Sequence, residues 1–170
     1  LAQASDVASR FASAGAQLDT LQLAVREDLK TYVAEINQLA QSVAELNQSI
    51  ASMMGLGHSP NDLLDQRDQL IGELSDKVQV STVEADDGSL TVFIAGGQRL
   101  VLGAQAQTLV VTADPNDSSR VALGISENGF VRVLPDGELG GGAVAGLRRF
   151  QNQDLVSART QLGQMAAALA

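Results

Sequence analysis

The sequence predicts an α+β fold: a long antiparallel bundle of three helices, the first very long, with a small antiparallel β-module inserted before the third. Apolar residues recur every three or four positions from Val7 to Met53, and again after Gly142. From Val78 they recur every second position. The first spacing is that of a helix face and the second is that of a strand. Clusters of Gly, Pro, Asn and Asp separate the strand-like runs, as expected for turns.

The first helix is predicted from an apolar ladder whose steps alternate between four and three, with one extra step of four. This heptad pattern with one stutter indicates a single helix on the order of 75 Å long. A helix of that length needs a partner along its apolar seam. Gly55 is the expected C-terminal cap. The ladder consists of Val7, Phe11, Ala14, Leu18, Leu21, Val25, Leu29, Tyr32, Ile36, Leu39, Val43, Leu46, Ile50 and Met53.

The second helix is predicted from Pro60 to about Lys77, as an antiparallel neighbour of the first because the link is short. Ser59 is the expected N-cap, Pro60 suits the first helical position, and Asp62 completes a capping box. Arg67 falls on or beside the apolar stripe, so it is expected to bury its stem and tether a carboxylate on a neighbouring helix.

Acidic residues form a separate row on this helix. Asp62, Asp65 and Asp68 follow each other at intervals of three. Charges on a helix are mostly solvated, so we interpret the row as helix surface and capping rather than as paired catalytic acids.

The β-module is predicted from short alternating runs bounded by turn residues. The expected strands are Val80–Glu84, Leu90–Ile94, Leu100–Leu102, Thr108–Thr112, Arg120–Ile125 and Phe130–Leu134. Gly140-Gly141-Gly142 then separates the module from a third helix that runs to the end of the chain. The domain hypothesis is a helical hairpin at 1–77, a β-module at 78–140 and a returning helix at 141–170, with the first and last parts forming one domain.

The composition disfavours several classes of binding partner. The formal net charge is −9, and the basic residues form no patch, which disfavours nucleic acid and an anionic membrane surface as partners. Aromatic residues are only 3% of the chain, so base or sugar stacking is disfavoured too. There is no Cys, and no apolar run approaches the ~20 residues of a membrane span. The first residue is Leu1, and we expect a piece of a longer protein.

Catalytic, cofactor and metal sites are not indicated. His58 is the only histidine and has no neighbour at ligand spacing. Asp114-Pro115-Asn116-Asp117-Ser118 begins like a calcium loop but lacks the Gly at position six and the Glu at position twelve. Gly140-Gly141-Gly142 lacks the Lys-Ser/Thr of a phosphate loop. We therefore expect no enzyme and no cofactor.

The segment Asn61-Asp62-Leu63-Leu64-Asp65-Gln66-Arg67-Asp68 resembles a signature of the flagellar hook-associated protein 1 family, whose members join the hook to the filament. Further strings resemble the family in the same order, and they are spread over the chain as far as Ala166. They are Ile71 to Glu84, Asp87 to Val92, Gly96 to Val101, Gly141 to Leu147, Asp154-Leu155 and Ala158 to Ala166. Arg148-Arg149-Phe150-Gln151-Asn152 departs from the family's Leu-Asp/Glu-Phe-Arg-Asp, so no ion pair is carried over there.

The resemblance implies the outer part of a junction subunit, without the family's two terminal segments, exported through the flagellar type III route to the cell exterior. It implies copies of itself, the hook protein and the next junction protein as partners, and an isolated fragment that is monomeric. Two other functions are open alternatives: a coiled-coil binding module of another secreted apparatus, and a secreted hydrolase that uses carboxylates. Loss of activity on replacement of Asp62 or Asp65, with folding intact, would favour the hydrolase.

Overall fold

The computed structural model describes residues 2–127 and 129–169. Its dominant element is helix α1, Ala2–Gly55, which at 54 residues is about 80 Å long. Helix α2, Asn61–Lys77, runs back along α1. The single long helix and its shorter helical neighbour agree with the apolar spacing of the sequence.

The end of α1 differs from the prediction. Gly55 is the last helical residue, and Gly57 takes the left-handed conformation with φ +79°. The amide of His58 donates to the Met53 carbonyl at 3.0 Å, and the amide of Gly57 donates to the Met54 carbonyl at 2.9 Å. These two bonds form a Schellman motif, which needs a residue in the left-handed conformation just after the helix. Gly57 takes that conformation without the strain that a Cβ would cause, so Gly57, and not a cap at Gly55, terminates the helix.

The β-module consists of two antiparallel sheets. Strands β1 (Val80–Glu84), β2 (Leu90–Ile94), β3 (Gln98–Leu102) and β4 (Gln105–Ala106) form the first, in sequence order. Strands β5 (Thr108–Ala113), β6 (Val121–Glu127) and β7 (Phe130–Val133) form the second. The alternating runs predict an antiparallel module but neither its division into two sheets nor the two-residue strand β4.

The returning helical segment is in two parts. Helix α3, Gly142–Arg149, packs against α1 and α2, and helix α4, Leu155–Leu169, packs against α1. A π-helical turn, Phe150–Asp154, joins them, whereas the sequence predicts one continuous helix. A short 3₁₀ turn, Asp136–Glu138, precedes α3.

The core lies between the middle of α1 and the elements around it. Buried residues of α1 such as Ile36 and Val43 share one apolar cluster with Leu74 of α2, Ile94 of β2 and Leu123 of β6. Strands β3, β4 and β5 contact α1 directly. The sheets therefore supply part of the cover of α1, because their apolar faces also need burial.

Candidate functional site

A buried polar centre joins α1, α2 and the β1–β2 turn. Arg67 is 3% exposed and Asn47 is 1% exposed. Arg67 Nη1 donates to Asn47 Oδ1 at 3.2 Å and to the Gly88 carbonyl at 2.6 Å. Arg67 reaches from α2 to α1 and to the β1–β2 turn, and its partners are an amide oxygen and a main-chain carbonyl. The expected carboxylate partner was wrong, because the residue that faces Arg67 from α1 is Asn47.

Asn47 also fixes the strands. Its Oδ1 accepts from the Leu90 amide at 2.9 Å, and its Nδ2 donates to the carbonyls of Leu90 at 2.8 Å and Gly103 at 2.9 Å. One side chain of α1 thus satisfies main-chain groups of β2 and of the turn after β3. Buried main-chain groups need such partners, so this amide fixes the position of the first sheet on α1.

Asn37 plays the matching role for the second sheet. Its Nδ2 donates to the Leu109 carbonyl, and its Oδ1 accepts from the Leu109 amide, both at 2.8 Å. The side-chain amide therefore pairs with β5 as a neighbouring strand would. Asn37 and Asn47 are about 15 Å apart along α1, and each holds one sheet. Asparagine is a poor helix former, so its presence at two positions inside a long helix is a sequence signal for such contacts.

A third polar centre, around the buried side chains of Arg148 and Gln151, holds the returning helices. Arg148 is 3% exposed, and its Nε donates to Asp136 Oδ1 at 2.8 Å, while its Nη2 contacts the same oxygen. Asp114 Oδ2 lies 3.9 Å from that Nη2. Gln151, 1% exposed, donates from Nε2 to the Val121 carbonyl at 3.0 Å and accepts from the Val121 amide at 3.2 Å. This centre ties α3 and the π-helical turn to β6 and to the 3₁₀ turn.

The first turn of α2 does not have the predicted cap. Pro60 takes the N-cap position, no side chain there caps the helix, and the Pro60 carbonyl accepts from the amides of Leu63 and Leu64 at 3.0 Å each. The helix begins one residue later than predicted. Ser59 therefore lies outside the helix, and the capping box with Asp62 does not form.

The acidic row is part of the surface. Asp62, Asp65 and Asp68 are all exposed on α2, with Asp62 in the first turn, where a negative charge is favoured. Among residues 2–127 and 129–169, no group of His, Asp and Glu side chains is arranged to hold a metal ion. In the same part of the chain, no helix has both the length and the apolar character needed to cross a membrane.

Large exposed apolar side chains lie on the elements that project from the core. Leu21 and Leu23 of α1 are 44% and 62% exposed, and Met165 of α4 is 53% exposed. Arg159 joins α4 to the first half of α1, because it donates to Asp19 Oδ1 at 2.7 Å and to Gln22 Oε1 at 3.1 Å. The molecule is therefore a scaffold fixed by buried amides, with apolar side chains on its outer helices available for packing.

The comparison with protein families identifies the chain. The family model described as the flagellar hook-associated protein FlgK helical domain matches residues 1–170. The chain belongs to this family. Flagellar hook-associated protein 1 of Salmonella typhimurium (strain LT2) is 39% identical over 141 residues, which are 81% of this chain and 26% of that protein. The Escherichia coli K12 protein of the same name is 37% identical over the same shares.

A solved member of the family has the same fold. The flagellar hook junction protein FlgK from Burkholderia pseudomallei matches with a TM-score of 0.85 and 38% sequence identity, over 92% of this chain and 28% of that chain. The chain therefore spans about a quarter of the length of the FlgK relatives that it matches. The long helix, the two small sheets and the returning helices belong to the helical domain of FlgK.

Proposed function

We propose that this chain is a structural part of the bacterial flagellum, an adaptor at the hook–filament junction that acts through subunit packing. The observation that carries the proposal is the match of the FlgK helical-domain family to residues 1–170. The architecture agrees with such a role, because the half-buried amide of Asn37 and the buried amide of Asn47 fix both sheets on one long helix. Such a scaffold can hold its outer surfaces in a constant arrangement.

In the full-length protein, the partners that we propose are copies of the same subunit, the hook protein and the next junction protein. The place of action is the outside of the cell, after export through the flagellar type III route. Packing of this kind is spread over a large area with an apolar centre. Exposed apolar side chains such as Leu23 of α1 and Met165 of α4 fit such contacts.

We further propose that 1–77 and 141–170 form one domain, and that the β-module at 78–140 unfolds together with it. Ile94 of β2 and Leu123 of β6 belong to the same buried cluster as Ile36 of α1. Shared burial couples elements into one cooperative transition. Limited proteolysis that released a stable β-module would contradict this organisation.

The acidic row does not favour the hydrolase alternative. A carboxylate that acts as an acid at neutral pH has its pKa raised by burial or by a close negative neighbour inside a cleft. Asp62, Asp65 and Asp68 are exposed along one helix instead. The row fits a solvated face of an assembled subunit.

The test is to locate the chain on intact cells. Ser118 is exposed in the β5–β6 turn. The chain has no Cys, so Ser118→Cys in the full-length protein adds one thiol for a maleimide–gold label. The full-length protein without the substitution is the control for any other thiol, and motility is the control for assembly. Gold confined to the hook–filament boundary is the expected result in electron micrographs.

Label along the filament would refute the junction role. Absence of label from flagella of motile cells, when the thiol has reacted in the isolated protein, would also refute it. Either result would reopen the alternative of a coiled-coil module from another secreted apparatus.

A further inference from the structure

The joint between α3 and α4 contains one residue more than a regular helix would. The Leu155 amide donates to the Phe150 carbonyl, five residues back, where an α-helix would bond four residues back. The backbone stays helical on both sides, with φ −61° and ψ −46° at Arg149 and φ −65° and ψ −37° at Leu155. The chain therefore passes from α3 into α4 without a break but through one wide turn.

The extra residue changes which side of α4 faces α1. Successive residues of an α-helix are about 100° apart around its axis. After the wide turn, each residue of α4 occupies the angular position that the preceding residue would have in a regular helix. Without the wide turn, the positions of Leu155, Ala158 and Leu162 would be taken by Asp154, Ser157 and Gln161.

The side of α4 that faces α1 is its apolar side. Leu155 is 2% exposed, and Ala158 and Leu162 are partly buried. The residues that would replace them, Asp154, Ser157 and Gln161, are all exposed and polar. Placing a carboxylate and two other polar side chains against α1 would forfeit the apolar contact and bury polar groups without hydrogen-bond partners.

The ion pair between α4 and α1 depends on the same extra residue. Arg159 Nη2 lies 2.7 Å from Asp19 Oδ1 and 3.1 Å from Gln22 Oε1. In a regular helix, Ala158 would occupy the angular position of Arg159, and Asp19 would lose this partner. Both the apolar and the charged contacts of α4 therefore need the wide turn.

We propose that the wide turn Phe150–Asp154 is a phase-setting element, which rotates the apolar face of α4 away from that of α3. As a result, α3 packs against α2 and α1, and α4 packs against the first half of α1. Gln151, inside the turn, holds it in place through two hydrogen bonds to Val121. The same rotation leaves Val156 and Met165 on the outside, at 42% and 53% exposure. The turn thereby determines which face of α4 is free to meet other molecules.

The test uses an asymmetry between removing and adding a residue. In a regular helix, a deletion and an insertion both rotate the downstream part by about 100° and disrupt its packing alike. At a wide turn, deletion of exposed Gln153 should close the turn to a regular helix and leave α4 in phase. Insertion of one Ala after Gln153 should add a second extra residue and turn α4 away from α1.

Cross-linking reports the phase of α4. The chain has no Cys, so Asp19→Cys with Arg159→Cys gives one thiol pair between α1 and α4 for a short bismaleimide. In the deletion variant, the yield should stay within about twofold of the parent, whereas in the insertion variant it should fall about tenfold, because a rotation of about 100° moves residue 159 off α1. Loss in both variants, retention in both, or the reverse order would each overturn the proposal.

A second thiol pair controls for folding. Lys77 pairs with Glu35 between α2 and α1, so Lys77→Cys with Glu35→Cys should cross-link in the parent and in both variants. If the Gln153 deletion fails this control, deletion of Asp154 takes its place. Failure of both deletions would count against the proposal, because a helix that closes to a regular turn should remain folded.

Discussion

Asn47 of α1 and Arg67 of α2 form a buried hydrogen bond of 3.2 Å between Oδ1 and Nη1. The two residues are 20 positions apart in sequence, on either side of the turn that contains Gly57. The same amide reaches main-chain groups at Leu90 and Gly103, and the same guanidinium reaches Gly88. This pair therefore joins both helices of the hairpin to the first sheet at one point.

Asn47→Ala should lower the free energy of unfolding by about 2 kcal/mol, because it leaves part-buried main-chain groups at Leu90 and Gly103, and buried Arg67, without their partner. The gain in helix propensity from Ala is smaller than that loss. The matched control is Gln48→Ala, at the exposed neighbouring position. Urea unfolding followed by circular dichroism measures the free energy of unfolding of both variants. Equal midpoints for the two would contradict the prediction.

Arg67→Met should lower the free energy of unfolding by about 1–3 kcal/mol, because Met can fill the space of the stem but leaves the Gly88 carbonyl without a donor. Asp65→Asn, on the exposed row of the same helix, should change it by less than about 0.5 kcal/mol. Chemical unfolding of the two variants distinguishes the roles. A larger loss in Asp65→Asn would mean that the acidic row, not Arg67, holds the hairpin together.

Gly142→Ala and Gly163→Ala should have opposite effects. Gly142 has φ +87°, and a Cβ there would lie 2.7 Å from the Lys77 carbonyl and the Val78 amide nitrogen. We expect a loss of at least about 2 kcal/mol from left-handed strain and this clash. Gly163 lies in α4, where a Cβ would meet nothing within 4 Å, so Ala there should stabilise by about 0.5–1 kcal/mol. Thermal unfolding checks both signs, and a stable Gly142→Ala would contradict the close approach of α3 to the end of α2.

The periodic elements could be predicted from the sequence, and the contacts between them could not. The ladder from Val7 to Met53 predicts α1 because the spacing of apolar residues is a local property. The position of Arg67 on the stripe predicts its burial, but its partners Asn47 and Gly88 lie 20 and 21 residues away in opposite directions. The prediction of one continuous helix missed the wide turn at Phe150, although the step of five from Phe150 to Leu155 breaks the spacing of three and four. The Ser59 cap was wrong because it depended on a helix boundary, which shifted by one residue.

The isolated chain should be an elongated monomer, because we propose that assembly depends on the rest of the full-length protein. Light scattering coupled to size exclusion should give a mass near 17.7 kDa. The chain should elute earlier than a spherical protein of this mass, since α1 alone is about 80 Å long. Stable rings or filaments at moderate concentration would contradict the prediction and would mean that this part of the protein is sufficient for assembly.

Two serines should control the pKa values of two carboxylates independently. The Ser89 hydroxyl and amide donate to Asp87 Oδ1 at 2.6 and 2.9 Å, and these bonds, the hydroxyl first, lower the pKa of Asp87 below its usual 3.8. Ser119 lowers the pKa of Asp117 in the same way, with the Arg120 charge as a lesser cause. A hydrogen bond to the ionised form favours that form.

The sign of the pH dependence follows from these shifts. Because each folded-state pKa lies below the unfolded one, the stabilisation is present above the unfolded pKa and is lost as pH falls through the folded pKa. Ser89→Ala should raise the pKa of Asp87 and leave that of Asp117 unchanged, and Ser119→Ala should do the reverse. Carboxyl ¹³C NMR titration measures both groups in each variant. If Ser89→Ala changed both pKa values, a general charge effect would be at work. If it changed neither, the Ser89 hydroxyl would not be what lowers the pKa of Asp87.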